Sequence, residues 1–303
     1  MAQAQDWGMG TVNAPFKTLH NEVYPAIEPT SVQLPQPFVV CIVGASRGIG
    51  AGIAYNYAKA GATGLVLASR RTSGLESTAA ECKKLNPDLK IEIVSCDISS
   101  AESVAALADR TKSAFGGRLD VAAINSGYSG PMAGKLDQTD PATFQNAINV
   151  NYVGTFLCAK YLIPQLLATE GGAKAFVVTS SLATLIVRGP FANAQYSVSK
   201  AAQLKLLENV HEQYHEQGLN AFAIHPGGVK SEMAEESAPE FVQYLTDHPD
   251  LCGACAVWLT KDDQKRWLSG RLVSANWDVD ELEALKEEIV KQDLYKLGMT
   301  GPW

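Results

Sequence analysis

From residue 38 onward, short apolar runs alternate with longer stretches in which apolar positions recur every three or four residues. Phe38-Val39-Val40-Cys41-Ile42-Val43 is apolar throughout and sits between Pro37 and Gly44. A run of that length predicts a strand buried on both faces. Runs at 65–69, 91–95, 120–125, 175–179, 219–225 and 271–275 predict six more strands. Helical spacing covers 51–60, 72–85, 101–115, 141–169 and 194–217, with Gly61 stopping the first helix and Pro164 lying near the end of the fourth. Strand–helix alternation of this kind predicts an α/β fold. Its sheet is parallel, doubly wound and of about seven strands, with helices on both faces and ligands at the carboxyl ends of the strands.

The two ends break the pattern. Residues 1–37 carry Pro15, Pro25, Pro29, Pro35 and Pro37, which forbid a regular element and predict an arm draped over the body. Residues 278–303 are acidic, with Leu282, Leu285 and Ile289 on one helical stripe, and predict a helical tail packed on the body. One catalytic domain, 38–277, is expected between them, since 303 residues with 46% hydrophobic content suffice for a single large core.

Charge and cysteine content narrow the class. A net charge of −7 without a basic stripe argues against nucleic acid as a partner. No apolar run approaches the roughly 18 residues of a membrane span, and neither a secretory signal nor a transit peptide is expected. The six scattered cysteines suit a reducing cytoplasm. Cys252 and Cys255 have redox or metal spacing, but they open an apolar stretch and read as core; no metal site is expected.

Three stretches carry candidate chemistry. Gly44, Gly48 and Gly50 fall on the turn from the first strand into the first helix. There, free backbone N–H groups and the positive end of a helix dipole favour a dinucleotide phosphate. The second strand ends not in a carboxylate, which would grip an NAD ribose, but in Ser69-Arg70-Arg71. Arg70, with Arg47 from the glycine turn, suits the 2′-phosphate of NADP. One such charge-assisted contact, worth roughly 1.5–3 kcal/mol, would favour NADPH by about 10- to 100-fold. Tyr196 and Lys200 share one helical face, where an ammonium is expected to lower the phenol's pKa and make it an acid–base group. Tyr55 and Lys59 have the same spacing but no hydroxyl upstream. The 196–200 pair has Ser180 and Ser181 at a strand end, either able to bind a developing oxyanion. A nucleophilic serine triad lacks its Gly-x-Ser-x-Gly elbow, and His225 reads as structural.

These motifs, in this order, resemble the short-chain dehydrogenase/reductase family: Gly-x-x-x-Gly-Ile-Gly at 44–50, Asn-Ser-Gly at 125–127, Asn151-Tyr-Val-Gly154, Ser181, Tyr196-x-x-x-Lys200 and Pro226-Gly227. The resemblance spans about 38–275 and implies a Rossmann-type fold and NADP(H)-dependent transfer of hydride between the nicotinamide and a ketone or secondary alcohol. It implies Tyr196 as proton donor or acceptor, Ser181 orienting the carbonyl, Lys200 holding the nicotinamide ribose and lowering the tyrosine pKa, and Asn151 positioning a relay water. The implied NADP site is Gly44, Ser46, Arg47, Gly48, Ile49, Gly50, Arg70, Asp97, Ile98, Asn125, Tyr196, Lys200, Pro226, Gly227, Val229 and Ser231. A homodimer or homotetramer built on the helices at 141–169 and 196–217 is also implied. The chain departs from the family at Val43, where Thr is usual, and at Ile124, where a first asparagine is usual. The segment Leu182 to Gln195 is longer than in many members, which leaves Ser180 and Ser181 both open.

Two other readings remain open. One is a non-catalytic NADP-binding regulator or scaffold; the other keeps the fold for dehydration, epimerisation or cyclisation. The variable walls, 128–139, 184–195 and 232–249, hold Tyr128, Met132, Leu185, Ile186, Phe191, Met233, Phe241 and Tyr244. They predict a mid-sized, largely apolar small-molecule substrate.

Overall fold

The computed structural model describes residues 13, 15–132, 135–188 and 192–298. Seven parallel strands form one sheet: β1 Val39–Val43, β2 Gly64–Ser69, β3 Lys90–Ser95, β4 Val121–Ile124, β5 Ala175–Thr179, β6 Asn220–His225 and β7 Arg271–Ser274, in the order β3-β2-β1-β4-β5-β6-β7. The winding reverses between β1 and β4, so a crevice opens at their carboxyl ends. Val43 is level with both Ala68 and Ile124, and the residues that follow these three strands share one rim.

Alternation along each strand sends side chains to two separate cores. Val40, Ile42, Leu65, Leu67 and Phe222 pack under α1 (Gly48–Lys59) and α8 (Asp250–Thr260). Val39, Cys41, Val66, Phe176 and Val178 pack under α3 (Ala101–Ala114), α5 (Gly154–Ala168) and α6 (Ala194–Tyr214). Of the other helices, α2 is Ser73–Leu85, α4 is Pro141–Ala147 and α7 is Glu232–Ser237.

Four stretches depart from expectation. The stretch 141–169 is not one α-helix, because a π-helical segment, Ile148–Val153, separates α4 from α5. Helix α8 had no periodic signal, since every residue from Leu251 to Thr260 is buried. Cys252 and Cys255 are core residues within it, free thiols that burial pushes up in pKa, to about 12 for Cys252. The tail is two short helices, α9 (Val279–Ala284) and α10 (Lys286–Lys291), with Leu282 and Ile289 buried and Leu285 partly so. The arm contributes Phe16, stacked on Trp277 at 4.4 Å, and the buried Ile27 and Leu34, with two 3-10 turns where no regular element was expected.

Candidate active site

The glycine turn is closed by its own backbone. Asn125 Nδ2 donates to Gly44 O at 3.0 Å, and the Asn125 and Ser126 amides donate to Val43 O. Gly44 has φ +96°, and a Cβ there would lie 2.6 Å from Ser126 N; a Cβ on Gly50 would lie 2.0 Å from Gly44 O. No side chain caps the N-terminus of α1, whereas Ser100, Asp140, Asn193, Ser231 and Asp278 cap α3, α4, α6, α7 and α9. The first-turn N–H groups of α1 thus remain available to an anion, and this cradle fits a dinucleotide phosphate.

The turn borders a cleft of about 580 Å³. Every anticipated cofactor residue lines it except Gly50, which braces the turn from behind; Ser181 lines it too, and Asn151 does not. Arg47 pairs with Glu232 across the mouth, and Arg70 is exposed on the rim. Asp97 is held below the usual carboxylate range by hydrogen bonds from Ser99, with a smaller contribution from the Arg70 charge. Of the anticipated wall residues, Tyr128 and Met233 line the cleft, whereas Met132, Leu185, Ile186 and Tyr244 do not. Phe191 lies outside the described residues.

The opposite side is built from side chains. Asn193 caps α6 by accepting from Tyr196 N at 3.3 Å and donates to Ser129 Oγ at 3.1 Å, fixing the helix start to the segment after β4. Tyr196 and Lys200 then face the cleft one turn apart, with Lys200 Nζ 5.8 Å from the Tyr196 ring centroid. Ser181 lies against Tyr196, and its Oγ also accepts from Ala183 N at 3.0 Å. Ser180 Oγ is buried and without a partner among the described residues. Ser181 is therefore the hydroxyl presented to Tyr196.

Two of the anticipated residues have local surroundings that bear on their roles. Burial raises the Tyr196 pKa, and Ser181 offsets only part of the rise. The ammonium does not reverse this, because Lys200 Nζ donates to Thr179 O at 2.8 Å and Gln203 Oε1 at 3.1 Å, and burial lowers Lys200 to about 7. The Asn151 side chain is engaged with its neighbours. Its Oδ1 accepts from Tyr128 N at 2.8 Å, and its Nδ2 donates to Tyr128 O and Ser199 Oγ at 2.7 and 2.8 Å. His225 accepts from Leu182 N at 3.3 Å through Nδ1 and is lowered by burial to about 4, so it is neutral and occupied with the backbone.

Sequence reasoning missed three residues that shape the site. Gln203 lies beneath Lys200, and Glu232 engages Arg47. Asp247 Oδ2 accepts from Gly228 N at 2.5 Å and Asn276 Nδ2 at 3.0 Å, holding the turn at 226–229. Each is an ordinary polar residue in sequence, and its partners lie on other elements.

A turn suited to a dinucleotide phosphate thus shares one cleft with a tyrosine, a serine hydroxyl and a lysine. The short chain dehydrogenase family model matches residues 38–240. The chain belongs to the short chain dehydrogenase family. The short chain dehydrogenase pgmD of Aspergillus terreus is 35% identical, the alignment spanning 97% of this chain and 95% of pgmD. Among solved structures, a short chain dehydrogenase from Shigella flexneri 2a complexed with NADP superposes with a TM-score of 0.71 at 26% identity, over 80% of this chain and 98% of that one. A 7α-hydroxysteroid dehydrogenase complexed with NADH shares the fold, with a TM-score of 0.70 at 23% identity, over 84% of this chain and 97% of that one. As a short chain dehydrogenase the chain is an oxidoreductase of a family that uses nicotinamide cofactors. No helix among the described residues is long and apolar enough to cross a membrane.

Proposed function

We propose that this short chain dehydrogenase is a cytoplasmic, NADP(H)-dependent reductase of ketones or dehydrogenase of secondary alcohols. The observation that carries the reading is the shared cleft: Tyr196, Ser181 and Lys200 line it together with the uncapped start of α1 and the two arginines, Arg47 and Arg70. The nicotinamide, when bound, supplies or accepts the hydride. The glycine turn and the start of α1 would hold the pyrophosphate, and Arg70, with Arg47 after release from Glu232, would hold the 2′-phosphate. Asn125, Asp97, Ile98 and the 226–231 segment would flank the rest of the cofactor.

A raised pKa keeps Tyr196 protonated at neutral pH, the state that donates to a carbonyl oxygen. Ser181 orients that oxygen, and the Lys200 ammonium limits the cost of the phenolate left behind. The six free, buried thiols suit a reducing compartment. Tyr152, Phe156 and Val198 are exposed on the π segment, α5 and α6, and a homodimer or homotetramer would assemble through these helices. Residues 38–277 would be the catalytic unit, strapped by the arm and the tail.

Titration with NADPH and NADH, followed by cofactor fluorescence, tests the cofactor. The reading expects NADH weaker by about tenfold or more; equal affinities would remove the phosphate clamp. A ketone panel with Tyr196→Phe tests the chemistry. Turnover should drop about 10²- to 10⁴-fold with NADPH affinity kept, and unchanged turnover would overturn the assignment.

A further inference from the structure

Lys200 is only 2% exposed, and no carboxylate hydrogen-bonds or ion-pairs with it among the described residues. A buried ammonium needs acceptors for its three N–H groups. Thr179 O supplies one and Gln203 Oε1 another, while Lys200 also faces the cleft. Gln203 is itself fully buried, and its Nε2 donates to Asn151 O at 2.9 Å and to Thr155 Oγ1 at 2.8 Å. Both ends of the amide are therefore engaged, and the side chain has one orientation that satisfies its partners. The Asn151 carbonyl belongs to the π-helical segment and also accepts from Thr155 Oγ1 at 2.7 Å. Asn151 in turn grips both backbone groups of Tyr128, a cleft residue.

We propose that Gln203 is a positioning residue for the acid–base pair: its amide bridges the Lys200 ammonium to the Asn151 carbonyl and thereby sets the place and charge state of Lys200 beside Tyr196. The proposal rests on the reading of Tyr196 and Lys200 given above. Gln203 joins Lys200 to the Asn151 carbonyl directly, so the link from Lys200 to the π segment is a fixed amide. The titratable group against Lys200 is Tyr196 on the same helix, and His225 borders the same cleft from β6. Burial alone drives Lys200 down from 10.5 to about 7, and an acceptor on its ammonium opposes that drive.

Removing and strengthening the acceptor must therefore move Lys200 in opposite directions. The full-length wild type, Gln203→Leu and Gln203→Glu would be labelled with trace acetic anhydride from about pH 5 to about pH 10, and acetylation of Lys200 read by mass spectrometry. The wild-type midpoint is expected at about 7, where burial places Lys200. Gln203→Leu should lower it by about one pH unit and Gln203→Glu raise it by at least about as much. The alkaline limb of kcat/KM should follow the same order. A packing role alone would weaken both variants without moving the midpoints apart, so coincident midpoints, or shifts of one sign, overturn the proposal. Should Gln203→Leu fail to fold, Gln203→Glu against wild type decides alone. The labelling does not depend on turnover. Midpoints that separate while Tyr196→Phe keeps its activity would sink the reductase reading and leave Gln203 in place. Coincident midpoints with an inactive Tyr196→Phe would do the reverse.

Discussion

On the β1 side of the cleft, shape comes from the backbone: Gly44 in a left-handed conformation, Gly50 against the Gly44 carbonyl, and an α1 terminus left uncapped. On the β5–β6 side it comes from side chains: Asn193, Asn151, Ser199 and Gln203 are all buried and tie α6 to the π segment and to the segment after β4. Backbone construction tolerates no added atom but has nothing to titrate. Side-chain construction accepts some change of shape, yet each member is a buried polar group that must keep its partners, and through Gln203 and His225 the network touches groups that titrate.

The sharpest break of that contrast is predicted at two neighbouring glycines. A methyl at Gly50 would meet Gly44 O at 2.0 Å and Asn125 Nδ2 at 2.7 Å. Gly50→Ala should therefore cost at least about 3 kcal/mol in urea unfolding and abolish NADPH binding. Gly48 has φ +53° but nothing within 4 Å of its Cβ position. Gly48→Ala should cost only about 1–2 kcal/mol, for the left-handed backbone, and weaken NADPH by occupying space above the turn. Equal stability losses in the two variants would mean that the turn is not closed as described.

The same contrast explains what the sequence disclosed. Backbone constraints leave glycines, and glycines at 44, 48 and 50 between an apolar run and a helix are legible at once. The central strands were legible because a sheet covered on both faces needs unbroken apolar runs, and the edge strand β3 because its apolar residues alternate with polar ones. Helix α8 was not, because burial on all sides erases the periodicity that marks a surface helix. Gln203 and Asp247 were not, because an amide or carboxylate with structural partners looks like a solvated one until those partners arrive; Gln203 bonds to Asn151, 52 positions away. The π segment was invisible for a similar reason, since its apolar positions satisfy a helical period whichever carbonyl each amide selects.

Acid should break the side-chain half first. His225 must be neutral for Nδ1 to accept from Leu182 N, and burial has moved its pKa from 6.5 to about 4. A folded-state pKa below the unfolded value means that the unfolded chain binds the extra proton between those limits. This contribution to stability is complete above pH 6.5 and is lost as pH falls toward about 4, by up to about 3 kcal/mol. Urea unfolding of wild type and His225→Asn at several pH values isolates it. The variant keeps an acceptor but cannot titrate, so its curve should be flatter by that amount; parallel curves would show that His225 is protonated without penalty.

The smallest predicted effect lies where the two halves meet. Arg47 of the glycine turn and Glu232 of α7 pair across the mouth, each more than two-fifths exposed, at 56% and 44%. A pair that exposed contributes little to stability, so Glu232→Gln should change unfolding by less than about 1 kcal/mol. Its effect on cofactor affinity has a definite sign. Glu232 competes with a 2′-phosphate for the same guanidinium, and removing its charge also removes an anion from the rim that such a phosphate would approach. Glu232→Gln should tighten NADPH by up to about fivefold, equivalent to about 1 kcal/mol, and leave NADH unchanged. Fluorescence titration at low and high salt checks this, because the gain must shrink as screening rises. Weaker NADPH binding would mean that Glu232 instead holds Arg47 in its binding position, which would make the ion pair a part of the cofactor site rather than a rival to it.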